Sequence, residues 1–501
     1  MNTQKYAINH NYMIRNDQNR AFISYRYHLL HVKPSHFDAE TDFFSFIHPE
    51  QAKILALFDG KRDLLEIINI VASRLNTTEE RAESLISNLI ENKNMLNTVF
   101  QGNIFTFPKN LIVPLKDNAP VYTYSQKQFN CLTTDFKSLR LYRFPLDVTF
   151  MVNTVCNVDC IYCYADCRKK FDCQIPQERL EKLISDCKEN KVRIFDLMGG
   201  EVLMYKNWQW LLKTMIKYGF TPFLSTKIPI NNQTIQEIKS LGIKKLQISL
   251  DSFEGNVLEK NLNITNGNRY IEKMRKTLNN IEKTGLELNI HAVITQYNKE
   301  VSHINKYLEE LSKIKCVNNV QISIVGGSMY KSGYENHKLS SKEIEQIEQY
   351  INTVQKNFSF KINLSYGMNK NNYLGNKEFK TYSYNKRGLC SGNVRQVFIL
   401  PDGNVTICEE LMFNKNFILG NIIDEDLQSI WKKNRLKHLE EKNAYHNSVC
   451  GKCKDFDNCK SPQSRGVCWK EILHAYGEEK WNYPDPKCPH APRKMKKFYI
   501  N

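Results

Sequence analysis

The chain has 501 residues, enough for two to four domains with cores of their own. Its hydrophobic fraction is 41%, the value of a soluble globular protein, and no apolar run of about 18 residues marks a membrane span. The formal net charge is +17. Lysine is spread along the whole length rather than gathered in a dense block, which reads as a solvated surface, argues against nucleic acid as a partner and leaves an acidic peptide open. The N-terminal stretch MNTQKYAINHNYMIRNDQN lacks the apolar core of a secretory signal, so the expectation is a cytoplasmic protein with no membrane partner. Fifteen cysteines are many for that compartment, where structural disulfides are rare, and they favour metal ligation. Five lie between Cys156 and Cys173 and seven between Cys390 and Cys488.

Residues 1–100 read as a small α/β module. RAFISYRYHLL is a strand region, followed by helices over PEQAKILALF, LLEIINIVASRL and TEERAESLISNLIENKNML. In the second helix Leu64, Ile67, Ile68, Val71 and Leu75 recur at helical spacing. Thr77 and Glu80 form the capping box of the third, and Asp59-Gly60 turns between the first two. Residues 101–142, with three prolines and little periodicity, are expected to be a linker. From 143 to 335 six apolar-rich strands (146–153, 193–200, 221–226, 245–252, 288–295 and 319–327) alternate with amphipathic helices. That order implies a parallel sheet covered by helices, closer to a partial (β/α)6 barrel than to a complete one. Residues 336–387 form a connecting segment containing a polar stretch, and 388–490 a Cys-rich domain.

The decisive segment is Cys156-Asn-Val-Asp-Cys160-Ile-Tyr-Cys163, just after the first strand of the barrel, at the sheet edge where α/β folds place their ligands. Three thiolates at this spacing can hold three irons of a cubane cluster and leave one iron for an exogenous chelator. Structural zinc normally takes four protein ligands in a closed set. The pattern resembles the radical SAM superfamily over roughly residues 143–330. There the free iron chelates S-adenosylmethionine (SAM), and an electron from the [4Fe–4S] cluster cleaves it to methionine and a 5′-deoxyadenosyl radical. The resemblance makes Tyr162 the aromatic that precedes the third cysteine. It also makes Gly199, Gly200 and Glu201 the Gly-Gly-Glu of a SAM amino-group motif whose usual proline is here Val202. Ser249 and Asp251, at the end of the fourth strand, are expected to face the SAM ribose or carboxylate; Asp251 could equally cap the next helix. His291 on the fifth strand reads as core, and Cys131, Cys167, Cys173, Cys187 and Cys316 fall outside the ligand set.

The C-terminal cysteines run Cys390, Cys408, Cys450, Cys453, Cys459, Cys468, Cys488, with a β-hairpin around Pro-Asp-Gly-Asn between the first two. This resembles the SPASM extension of radical SAM peptide-modifying enzymes, which holds up to two auxiliary [4Fe–4S] clusters. The eight-residue gap from Cys459 to Cys468 exceeds the family's usual three. The resemblance assigns Cys390, Cys408 and Cys468 to a first auxiliary cluster and Cys450, Cys453, Cys459 and Cys488 to a second. It also offers Glu409, the first of two acids after Cys408, as a proton acceptor. C-x2-C spacing alone is shared by zinc and iron sites.

The stretch ILALFDGKRDLLEIINIVASRLNTTEERAESLISNLIENKNML resembles a winged-helix (PqqD-like) domain of ribosomal-peptide maturation, which takes a leader peptide as an added strand. Together the resemblances imply an oxidoreductase that binds a precursor peptide by its leader and draws electrons from a partner such as flavodoxin or ferredoxin. Its product would be a thioether cross-link. Carbon–carbon cross-linking, formylglycine formation in a sulfatase, and a zinc-stabilised nucleic-acid-binding regulator are the alternatives.

Overall fold

A computed structural model describes residues 4–26, 43–116, 120–165, 170–331, 333–366, 390–412, 414–460 and 467–492. They fall into two compact units, one ending at Phe144 and the other beginning at Pro145.

In the first unit β1 (Lys5–Ile8) lies between β5 (Asp59–Asp63) and β8 (Ile112–Pro114), while β2 (Tyr12–Asn16), β3 (Ala21–Tyr25) and β4 (Phe44–Ile47) form an antiparallel sheet. Three helices, α1 (Pro49–Leu55), α2 (Leu64–Leu75) and α3 (Glu79–Ser87), precede a hairpin of β6 (Leu96–Phe100) and β7 (Asn103–Phe107). Ile14, Ile23, Ile47, Ala52, Ile67 and Ala82 meet in its core.

The details depart from the sequence reading in three places. Asp59-Gly60 is not a free turn but opens β5, with Gly60 at φ +74°. The cap of α3 is Thr78 rather than Thr77, because the Thr77 amide closes the end of α2 on the Ala72 carbonyl at 3.0 Å. Residues 101–142 are not a linker. They complete the hairpin, supply β8, and are held by a buried ion pair. Arg20 and Asp17, both wholly buried, meet at 2.9 Å. The Arg20 guanidinium donates to the Ser138 and Arg140 carbonyls, while Asp17 accepts from the amides of Tyr142 at 2.8 Å and Arg143 at 2.9 Å.

Among the described residues the β/α part of the second unit carries seven strands, paired in parallel. β9 (Asp147–Met151) pairs with β10 (Ile194–Met198). β11 (Leu224–Thr226), β12 (Lys245–Ser249), β13 (Glu287–Ile294), β14 (Val317–Ile324) and β15 (Lys361–Tyr366) form a second sheet in chain order. Helices α4 (Gln177–Glu189), α5 (Trp208–Lys217), α6 (Asn232–Ser240), α7 (Gly255–Leu262), α8 (Gly267–Glu282) and α9 (Val301–Ser312) connect them, followed by the single turn α10 (Tyr334–His337) and α11 (Ser341–Val354). Alternation places Leu246, Ile248, Leu288, Ile290, Val320 and Ile322 on one face, fully buried. The opposite face carries Gln247, Asn289, His291, Gln321 and Ser323. The six expected β/α units are present. The supposed connecting segment adds a seventh, whose helix opens with a Ser340–Glu343 capping box and whose strand pairs with β14. The polar stretch of that segment and the basic tail lie outside the described residues.

The predicted hairpin between Cys390 and Cys408 is β16 (Gln396–Ile399) and β17 (Asn404–Thr406), followed by β18 (Ile418–Asn421). β16 pairs in parallel with β9, Gln396 opposite Asp147 through Ile399 opposite Phe150. One sheet, in the order β10-β9-β16-β17-β18, therefore carries both cysteine-bearing regions.

Arg20→Ala leaves Asp17 buried without its cation and is expected to destabilise the first unit by about 3–5 kcal/mol in denaturant unfolding. Arg143→Ala, on an exposed side chain, is expected to stay within about 0.5 kcal/mol.

Candidate active site

The chain leaving β9 is stitched to the chain leaving β10. The Val152 amide donates to the Met198 carbonyl at 2.9 Å, Gly200 to the Asn153 carbonyl at 3.0 Å and Glu201 to the Val155 carbonyl at 2.7 Å. The Asn153 side chain returns a bond to the Glu201 carbonyl at 2.9 Å. A Cβ on Gly200 would sit 2.2 Å from the Val155 carbonyl oxygen, so only glycine permits this approach. The Gly199–Glu201 turn thus fixes the backbone immediately before Cys156.

Beyond it, the three-cysteine loop hangs on α7, an element the sequence reading did not anticipate. The Asp159 amide donates to the Leu262 carbonyl at 3.1 Å and Ile161 to the Asn261 carbonyl at 3.0 Å. Cys156, Cys160 and Cys163 are close enough that each thiol's charge acts on another's. Burial pushes the Cys160 thiol up to about 12, partly opposed by the ammonium of Lys227.

Lys227, just past β11, is the functional residue that sequence reading missed. Its side chain is 17% exposed and donates to the Tyr162 hydroxyl at 2.9 Å and to Asp251 Oδ1 at 3.3 Å. Tyr162 also donates to Asp251 Oδ2, and Asp251 Oδ1 accepts the Val293 amide at 3.1 Å. Burial opposes the Lys227 charge, but Asp251 and Cys160 outweigh it and hold its pKa above the ordinary lysine value. Burial and the neighbouring Asp251 drive the Tyr162 hydroxyl well above the ordinary phenol range. Of the two roles weighed for Asp251, helix capping is not seen, since Glu254 occupies the N-cap of α7. Its carboxylate instead ties Tyr162 to β12 and β13. Ser249, the last residue of β12, is buried two positions before it.

Glu201 is 3% exposed. Its carboxylate accepts from the Leu203 amide at 3.2 Å, Thr226 Oγ1 at 2.9 Å and the Lys227 amide at 3.1 Å. Burial raises its pKa against those three donors and the Ile228 amide. His291, expected in the core, is instead half-buried on the polar face of the sheet, where it bonds Ser323 at 2.9 Å.

In the C-terminal region the thiols sort into two sets. Cys408 and Cys390 both act electrostatically on or with Cys468. Cys488 senses Cys459, Cys450 and Cys453. The resemblance assigns the same three and four cysteines to its two auxiliary clusters. Part of the long gap before Cys468, residues 461–466, lies outside the described residues, as does Cys167. Of the acidic pair, Glu410 is the buried one. It bonds the buried Lys470, and burial raises its pKa to about 7 despite that partner. Glu409 is half-buried.

Among the described residues no three Cys, His, Asp or Glu side chains are closed into a metal-holding group, but the donor type of the neighbouring thiols fits iron–sulfur clusters. All three groups consist of thiols, and two of them have three members, which suits a cubane with one iron left over better than a closed tetrahedral zinc site. Gly200→Ala is expected to push the Val155 carbonyl away and disorder the loop before Cys156. Iron analysis after anaerobic reconstitution should then show a loss of about four irons per chain, with the C-terminal complement retained.

Residues 151–308 match the model of the radical SAM superfamily, and residues 390–454 match that of the SPASM iron–sulfur cluster-binding domain. A probable GTP 3′,8-cyclase of Archaeoglobus fulgidus is 25% identical over 141 residues, 28% of this chain and 45% of that protein. The chain spans less than half the length of the curated relatives it matches. Among solved structures, Streptococcus suis SuiB bound to S-adenosylmethionine superposes with a TM-score of 0.62 at 14% identity, over 96% of this chain and 99% of that one. SuiB bound to the precursor peptide SuiA gives 0.61 at 13% identity with the same coverage. That likeness is one of fold. The radical SAM domain binds a [4Fe–4S] cluster and SAM, and the SPASM domain binds auxiliary iron–sulfur clusters. The two models lie over the cysteine-bearing parts of one sheet, a radical SAM domain at residues 151–308 and a SPASM iron–sulfur domain at 390–454.

Proposed function

We propose that this protein is a radical SAM enzyme that cross-links a ribosomally made precursor peptide, forming a thioether between a cysteine sulfur and a carbon. The observation that carries the reading is the gathering of Cys156, Cys160 and Cys163 beside the buried Glu201 at the ends of β9 and β10. When bound, the cluster supplies the electron that splits SAM. The chain's own residues do the rest. The Gly199–Glu201 turn presents backbone and the Glu201 carboxylate to the amino-acid end of SAM. Tyr162, Asp251 and Lys227 hold the cysteine loop against the sheet, and Ser249 lies beside them for the ribose or carboxylate. Cys390, Cys408 and Cys468 are proposed for one auxiliary cluster and Cys450, Cys453, Cys459 and Cys488 for another. Glu409 is proposed as proton acceptor, since Glu410 is already engaged by Lys470.

The peptide assignment draws support from the first unit. Three helices followed by a hairpin are what a winged-helix domain requires. On the hairpin Val99 and Ile104 stand opposite each other and are 74% and 73% exposed. Exposed apolar side chains on a short two-stranded sheet suit an added leader strand, with flavodoxin or ferredoxin as reductant. A leader-bound substrate and a cytoplasmic setting are parts of the same proposal.

Anaerobic reconstitution tests it. Roughly 12 irons per chain are expected for three clusters. Reduction with SAM should then release 5′-deoxyadenosine, and replacing Cys156, Cys160 and Cys163 with alanine should abolish that release. With a candidate precursor peptide, the product should lack one hydrogen pair and one titratable thiol. Loss of the hydrogen pair with every thiol retained points to carbon–carbon chemistry, and an aldehyde points to formylglycine. Zinc without iron, and no 5′-deoxyadenosine, contradict the enzyme reading altogether.

A further inference from the structure

The two C-terminal thiol sets sit in different electrostatic surroundings. Near Cys408 and Cys468 the buried Lys470 and the half-buried Lys487 are each matched by a carboxylate. Lys470 bonds Glu410, and Lys487 bonds Glu471 at 3.2 Å, with Glu409 adding further negative charge. Near Cys450 and Cys459 stands Lys460, 2% exposed. An ammonium has three donors and no acceptor. Those of Lys460 find the Tyr483 carbonyl at 3.0 Å, the Cys450 thiol, and the face of the Tyr445 ring 4.1 Å away. Its partners are thus a carbonyl, a ring and a proposed cluster ligand, none of them a carboxylate. Asp485 couples to it from further off, and that acid is also engaged by the Cys468 and Lys487 amides.

One-electron reduction of an iron–sulfur cluster adds one negative charge and, at a fixed protonation state, moves no proton and breaks no bond. A buried cation stabilises the reduced form more than the oxidised one, because little water screens it. Net charge and hydrogen bonds to the sulfurs are known determinants of cluster potential. We propose that Lys460 raises the reduction potential of the cluster held by Cys450, Cys453, Cys459 and Cys488 above that of its neighbour, making it the auxiliary site where an electron comes to rest. This rests on the iron–sulfur reading of the C-terminal cysteines.

The test uses the full chain with Cys156, Cys160 and Cys163 replaced by alanine, so that only auxiliary clusters report. Potentiometric titration with dithionite, followed by electron paramagnetic resonance, is run on this background, on Lys460→Met and on Lys460→Arg, each with its iron counted. In Lys460→Met the higher-potential step is expected to fall by at least tenfold in its reduced-to-oxidised ratio, about 59 mV for one electron, while the lower step stays put. Lys460→Arg, which keeps the charge, should hold the higher step within about threefold of the background. An unchanged higher step in Lys460→Met at full iron content overturns the proposal. So does an equal fall in both variants, or iron loss in both, since either outcome makes the role one of packing. A background protein holding clearly fewer than roughly eight irons overturns the iron–sulfur reading itself, before Lys460 is in question.

Discussion

Lys227 is the cation on which the site is built. A buried Asp251 without a positive partner would carry a heavy desolvation penalty, and a buried Tyr162 hydroxyl without an acceptor a smaller one. Lys227 answers both at once, from the end of a strand whose own backbone is anchored by Glu201. Four parts of the chain therefore converge on one network: the cysteine loop through Tyr162, β11 through Lys227, the end of β12 through Asp251, and β13 through the Val293 amide. None of these contacts is local in sequence, so the loop takes its shape only when the sheet is complete.

The same sheet explains how two distant cysteine regions come to work in one molecule. β16 adds to the free side of β9 in parallel, and the hairpin then carries the chain from Cys390 to Cys408. Gly392 makes this possible at close quarters, since a Cβ there would lie 2.4 Å from the Ile407 carbonyl. The barrel and the auxiliary region share a strand ladder rather than a flexible tether, an arrangement that suits electron transfer between fixed sites.

Much of this was legible in the sequence because it is periodic or locally patterned. The Pro-Asp-Gly-Asn hairpin and the three-cysteine spacing declare themselves within about twenty residues, and each of the six β/α units within a few tens. What escaped was either short or non-local. The helix α7 spans only Gly255–Leu262 and was hidden before the stronger pattern of α8. The seventh strand and α11 did offer a Ser-x-x-Glu cap and Ile344, Ile347 and Ile351 at helical spacing, a signal passed over beside the polar stretch that follows. Lys227 offered none, because a lysine after a strand is ordinary until the fold sets a tyrosine and an aspartate around it. The N-terminal unit ran on to Phe144 for the same reason: Arg20 and Asp17 act on residues more than a hundred positions away.

Hydrogen exchange followed by mass spectrometry, comparing the wild-type chain with Lys227→Met and Lys227→Arg, tests the central claim that this buried cation organises the cysteine loop. The Asp159 and Ile161 amides, which bond the end of α7, report on it directly. The account predicts faster exchange across residues 156–165 in Lys227→Met, partial recovery in Lys227→Arg, and unchanged protection in β14. Wild-type protection of that loop in Lys227→Met would contradict it.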